Sequence, residues 1–336
     1  MMKKLTLLTL FVGLLFMAGC APKTQKYVYN EGTVFTTIYH FIYSSPDGIN
    51  LKDSIEKKMN EFGNSLSTFI PTSTISRINK NDPTVKVDPY FRKCFLKAEE
   101  VSKKTNGAFD MTVAPLVNAW GFGFTKKDSI SKELIDSLMQ TVGYQKVKLV
   151  GDKIIKENAN TMLDASAISK GEAVDMACDY LASQGCNNYM VEIGGEVRAH
   201  GVNAKGEVWR IGINKPNNKG LYDDNDLQDV IHLNDKALAT SGNYRNFYIK
   251  NGKRYAHTID PHTGYPVQHS LLSSSVLTNN CMTADAYATA FMVMGVEKAK
   301  KIVENDPNLE AYFIYAGDNN MNMVWYSKGF KNLIIK

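Results

Sequence analysis

The chain has 336 residues, a formal net charge of +5, and charged side chains at 22% of positions. That length is ample for one large or two modest domains with a buried core, and so nearly balanced a charge excludes the dense basic surface of a nucleic-acid-binding protein. The five cysteines include no CxxC pair, which argues against a structural zinc site.

Lys3 and Lys4 precede an apolar run, Leu5 to Met17, too short for a membrane span and suited to a signal-peptide core. The run ends Met17-Ala18-Gly19-Cys20, which resembles a bacterial lipobox. Residues 1–19 are therefore predicted to be removed and Cys20 lipidated, leaving 20–30 as a tether to the periplasmic side of a membrane; cleavage with an unmodified Cys20 is the alternative. Cys94, Cys178, Cys186 and Cys281 leave room for one or two disulfides whose pairing the sequence does not fix.

From Gly32 to Tyr43 the chain reads as one β-branched strand, followed by a Ser45-Pro46-Asp47-Gly48 turn and a helix over Leu51–Phe62. Leu66 to Phe69, with Ser73, Ile75 and Asn79 after it, reads as a loop and short helix or as one wall of a ligand pocket. A helix is predicted over Pro89–Thr105, ended by Asn106-Gly107. Ala108-Phe109-Asp110 and Trp120-Gly121-Phe122 follow as a packed loop or as a surface able to read a flat ring. After a short helix at Leu134–Met139 and a hairpin about Gly151-Asp152, Asp164 to Gly171 forms a small-residue loop before a helix over Glu172–Ser183. Amides at that helix start, with Lys170 beside them, suit a diphosphate, although tight strand-to-helix packing would use the same residues.

Strands are expected at Tyr189–Ile193, Val197–Val202, Val208–Ile213 and Phe247–Ile249, with 215–229 as a surface loop. A hairpin at Asn251-Gly252 delivers residues 256–266, where His257, Asp260 and His262 stand among Pro261, Gly264 and Pro266. So many polar and rigid groups together mark a site loop. A polar linker then leads to a helix capped by Thr283, on which Asp285 and Thr289 share one face. A carboxylate and a hydroxyl so placed are hard oxygen donors for magnesium, or a capping pair on a solvated face. Gly295 stops that helix, a further helix spans 296–304, and Tyr312–Tyr315 pairs with Met321–Tyr326 as a closing hairpin. With no repeat or interdomain linker, residues 31–336 read as one compact α+β unit.

Taken in order, Gly32-Thr33, Leu66 to Phe69 with Ser73 and Ile75, Asn106 to Asp110 through Trp120-Gly121-Phe122, Asp164 to Asp175, Glu192 to Gly195, Thr240 to Gly242, His257 to Gly264 and Asp285 to Thr289 resemble the ApbE family of FAD:protein FMN transferases. The resemblance implies a T-fold-related domain of mixed sheets and helices, with FAD as substrate and Mg2+ held by the Ala167 carbonyl, Asp285 and Thr289. Flavin contacts map to Phe69, Ala108, Phe109, Asp110, Asp164, Lys170, His257 and Ile259, with Glu31 a weaker match. Ala165-Ser166, Ser169 and Glu31 depart from the usual family residues. The implied reaction moves FMN to a Thr or Ser hydroxyl of an acceptor protein and releases AMP, with His257 the candidate base and Asp285 a ligand that shares the task. The resemblance further implies acceptors that are flavin-carrying subunits of membrane redox pumps. The same residues would serve an FAD pyrophosphatase, and a non-catalytic FAD-binding lipoprotein is the reading from another class.

Overall fold

The computed structural model describes residues 26–123, 130–216, 227–243, 247–250, 253–317 and 321–335, so Cys20 and the turn at 251–252 lie outside the described residues. In chain order the strands are β1 (Lys26–Val34), β2 (Thr37–Ser45), β3 (Val147–Val150), β4 (Lys153–Lys156), β5 (Tyr189–Ile193), β6 (Glu196–His200), β7 (Trp209–Asn214), β8 (Leu227–Leu233), β9 (Lys236–Gly242), β10 (Phe247–Lys250), β11 (Lys253–Ala256), β12 (Leu271–Thr278), β13 (Glu310–Ala316) and β14 (Asn322–Tyr326). The helices are α1 (Lys52–Leu66), α2 (Thr74–Asn79), α3 (Pro89–Lys104), α4 (Ala114–Ala119), α5 (Lys132–Met139), α6 (Ser169–Ser183), α7 (Cys281–Met294), α8 (Val296–Asn305) and α9 (Lys328–Lys331).

Eight strands form one sheet in the order β1-β2-β5-β6-β9-β12-β13-β14, each pair antiparallel. One face carries α6 over β5 and β6 and α7 over β9 and β12, with α6 and α7 packed together. The sequence of α7 is apolar nearly all round, as a helix enclosed on every side requires, and Ala284, Ala286, Ala288, Ala290 and Phe291 are all fully buried. On the opposite face Val197, Leu238, Leu277, Tyr312 and Ile314 meet Trp209 and Ile231 of the β7–β8 ribbon and Phe330 of α9. Helices, sheet and ribbon thus make an α+β domain in layers.

Several elements differ from their sequence expectation. The first strand is a hairpin that begins at Lys26, inside the expected tether, and turns at Phe35 and Thr36, whose φ of 51° and 62° are unusual for side-chain-bearing residues. The expected polar linker contains β12, the strand beneath α7. Its serines obscure the apolar signal, yet Ser273, Ser274 and Ser275 are at most 1% exposed and their small volume lets the helix settle close. Leu227–Leu233, assigned in part to a surface loop, pairs with β7 as β8. All four described cysteines are buried and free, so none forms a disulfide.

Candidate functional site

The site grows from the contact between the first turns of α6 and α7. Asn79, at the end of α2, donates to the Leu163 carbonyl at 2.9 Å and accepts from its amide at 2.7 Å, while the Asp164 amide donates to the Met111 carbonyl at 2.8 Å. These bonds fix the chain just before the loop. Asp164 then accepts from the Ser166 amide at 2.8 Å, and the Ala165 carbonyl receives the amides of Ile168 and Ser169, which starts α6 at Ser169 rather than Glu172. Burial pushes the Asp164 carboxyl up, against the Ser166 bonds that pull it down.

Two residues later the helices touch. A Cβ on Gly171 would stand 2.3 Å from the Cys281 carbonyl oxygen and 2.8 Å from Asp285 Cβ, so only glycine permits this approach. The Gly171 amide uses it to donate to Asp285 Oδ2 at 3.0 Å. Asp285 is 3% exposed.

The start of α7 also differs from expectation: Asn280, not Thr283, is the cap, its Oδ1 accepting from the Thr283 amide at 2.9 Å. Asp175 of α6 accepts from the amides of Cys281 and Met282, each at 2.9 Å, and from Arg198 Nη1 at 3.0 Å. With the first helical amides satisfied from outside, the helix begins three residues earlier than a Thr283 cap would allow. Asp285 consequently lies beyond the first turn. Thr289 follows one turn on, its Oγ1 3.3 Å from Ser241 Oγ of β9.

Charge is unevenly shared here. Lys170 Nζ lies 2.6 Å from Glu196 Oε2, on a side chain 2% exposed. Burial would lower the Lys170 ammonium, but Glu196 and Asp285 outweigh it and raise its pKa. Burial pushes both carboxyls up, with Lys170 opposing the shift on each.

The aromatic side of the site is a braced loop. The Trp120 indole donates to the Gly264 carbonyl at 2.8 Å and stacks on Tyr255 with centroids 5.6 Å apart. His262 bridges Asp260 Oδ1, 2.9 Å from Nδ1, and the Asn106 carbonyl, 2.7 Å from Nε2. This ties the 257–266 loop to the turn before Ala108. Ala108, Phe109 and Asp110 are buried, and Asp110 accepts from Thr112 and the Tyr144 amide. Ile259 is 4% exposed and packs beside Leu116, Trp120, Ile135 and Val142. At these four positions the backbone, rather than the side chain, is what remains to meet a ligand. His257 stands edge-on to Phe122, centroids 6.3 Å apart. Phe69 is 74% exposed. Glu31 lies on β1, at the sheet edge, and its carbonyl accepts from Lys52 Nζ at 3.3 Å.

The expected metal donors fit a hard cation. Asp285 Oδ1 makes no hydrogen bond among the described residues, and the Thr289 hydroxyl and Ala167 carbonyl are likewise oxygen donors. Among the described residues no three His, Cys, Asp or Glu side chains form a cage, which sets the site apart from zinc-type centres. Sequence reasoning missed Glu196, Ser241 and the capping role of Asp175. The Gly194-Gly195 pair before Glu196 was the available signal, but nothing in the sequence pairs Glu196 with Lys170.

This fold is shared with solved flavin transferases. The chain matches a flavin transferase from Vibrio cholerae with a TM-score of 0.83 at 35% identity, covering 92% of this chain and 99% of that one. It matches the apo flavinyl transferase of Pseudomonas stutzeri with a TM-score of 0.82 at 30% identity, covering 92% and 97%. In sequence it is 37% identical over 305 residues to the FAD:protein FMN transferase of Vibrio cholerae serotype O1, covering 88% of this chain and 90% of the relative. It is 36% identical over 346 residues to that of Haemophilus influenzae, covering 99% of each. Residues 32–313 match the ApbE family model, and the chain belongs to the ApbE family.

Proposed function

We propose that the chain is an Mg2+-dependent enzyme that moves the FMN moiety of FAD onto a Thr or Ser hydroxyl of an acceptor protein and releases AMP. The observation that carries this reading is the buried Asp285 carboxylate, fixed by the amide of Gly171, four residues after Ala167, and followed along α7 by Thr289. Asp285, the Thr289 hydroxyl and the Ala167 carbonyl would hold Mg2+, which when bound neutralises diphosphate charge and lowers the barrier to attack at phosphorus.

The chain's own groups supply the rest. The acceptor hydroxyl oxygen bonds to the FMN phosphorus, the bond to the bridging diphosphate oxygen breaks, and AMP leaves with that oxygen. An imidazole is the side-chain type suited to take the hydroxyl proton near neutral pH, and of the two in the site loop His262 bridges Asp260 and the Asn106 carbonyl, which leaves His257 as the candidate base. Its loop is held by His262 and Trp120, which limits the orientations available to the base. Lys170 stands at the α6 start beside Asp285, its ammonium held 2.6 Å from Glu196. Phe69 offers an aromatic face for the flavin ring.

Anchoring through a lipid on Cys20, on the periplasmic side of a membrane, is supported by the basic, apolar and small-residue order of residues 3–20. It agrees with acceptors that are exported portions of membrane redox pumps. The test mixes purified protein, FAD, Mg2+ and an acceptor domain carrying a target threonine. Acceptor-bound flavin fluorescence in a denaturing gel, together with stoichiometric AMP, is the expected result. Free FMN with AMP would replace this reading by FAD hydrolysis, and unchanged FAD would overturn catalysis.

A further inference from the structure

We propose that Glu196 is a positioning residue that draws the Lys170 ammonium away from Asp285 and so keeps that carboxylate open to a divalent cation, an inference that rests on the metal reading above. Lys170 precedes Gly171, whose amide already bonds Asp285, so the lysine side chain springs from the backbone beside that carboxylate. Yet among the described residues no ion pair joins Lys170 to Asp285, and the ammonium lies 2.6 Å from Glu196 instead.

Glu196 is delivered by a turn built for it. Gly194 and Gly195, with φ of 62° and 103°, close the β5–β6 hairpin in a conformation that side chains resist, and Thr37 packs where a Gly194 Cβ would fall. The carboxylate enters the interior on a side chain 2% exposed, which is costly unless it meets an opposite charge, and the charge it meets is Lys170. Asp285 alone could have neutralised the lysine. With Glu196 present, the ammonium is occupied and the second oxygen of Asp285 stays without a protein partner among the described residues, the donor a divalent cation requires.

Charge accounting separates this role from a merely structural one. Glu196→Gln preserves shape but leaves Lys170 only Asp285 to pair with. Lys170→Met removes the competing ammonium. The double variant loses one charge of each sign and restores the original balance. Mg2+ alone is titrated into each purified full chain by calorimetry, with the melting temperature recorded with and without Mg2+, and the titration is repeated with FAD present.

Glu196→Gln is expected to weaken Mg2+ binding by at least about tenfold, Lys170→Met to leave it no weaker, and the double variant to return it to within about threefold of the parent. If Glu196→Gln does not fold, a double variant that binds Mg2+ more than about threefold more weakly than the parent overturns the proposal. Parent-like binding by Glu196→Gln, or a double variant as weak as Glu196→Gln, overturns the proposal while leaving the metal reading intact. A parent chain that takes up no Mg2+ with or without FAD overturns both.

Discussion

Gly171→Ala is the sharpest test of the helix contact on which the site is built. The added methyl would sit 2.3 Å from the Cys281 carbonyl oxygen and 2.8 Å from Asp285 Cβ, and backbone cannot swing aside as a flexible side chain would. Relieving the overlap forces α6 and α7 apart, at a cost of about 1–3 kcal/mol for overpacking. It also stretches or breaks the amide bond to the Asp285 carboxylate, a bond to a charged group worth about 1.5–3 kcal/mol. The higher helix propensity of alanine offsets about 1 kcal/mol. A net loss of about 1.5–5 kcal/mol follows, or a fall of roughly 3–10 °C in Tm at the slope for larger domains. Because the displaced group is the proposed metal ligand, FMN transfer should fall further than stability does, by about 100-fold at a temperature where the variant is folded. Circular dichroism melting and gel fluorescence of the acceptor read the two effects. A variant that melts within about 1 °C of the parent and transfers at full rate would refute the close-contact reasoning.

Asp285→Ala should reduce transfer by at least about 100-fold while retaining measurable FAD affinity in a fluorescence titration, since the electrostatic partner of the reaction is removed but the flavin surfaces remain. Asp175→Asn, which gives up charged bonds to two α7 amides and Arg198, should cost about 2 kcal/mol in urea unfolding. Trp120→Phe loses the 2.8 Å bond to Gly264 and should cost about 1 kcal/mol, visible as a lower melting temperature. Burial pushes Glu172 up to about 7, with Lys93 opposing, so the folded state binds its proton more tightly than the unfolded state does. Its contribution to stability is therefore full below the ordinary value of 4.5 and lost as pH rises through about 7. Glu172→Gln should flatten that part of the profile of urea midpoints against pH.

Legibility in the sequence followed how local each signal was. Helix α3 was readable because its cues are adjacent: Asp88 and Pro89 start it, and Phe91, Phe95, Ala98 and Val101 are spaced to share a buried face. The hairpin at β3–β4 and the stop at Gly295 were readable for the same reason. β12 was not, because serine is polar in composition but small in volume, and burial here depends on how close α7 can come. The cap of α7 was missed because half of it is Asp175, 106 residues before Cys281. Within the site, Asp285 and Thr289 were visible as a pair on one helix, whereas Glu196 acquires its role only when β6 is laid beside α6. Family resemblance could assign ligands; it could not show that the Ala108–Asp110 side chains are committed to packing and bonds within the protein.

The bond from Gly171 to Asp285 spans 114 residues of chain. Loop closure over that length is a task for the whole fold, since β5 to β12 must be laid down between its two ends. No fragment ending before α7 can contain both halves of the proposed cation site. Catalytic competence should therefore emerge in a single late step of folding and disappear together with global structure on heating, so that flavin transfer reports completion of the domain.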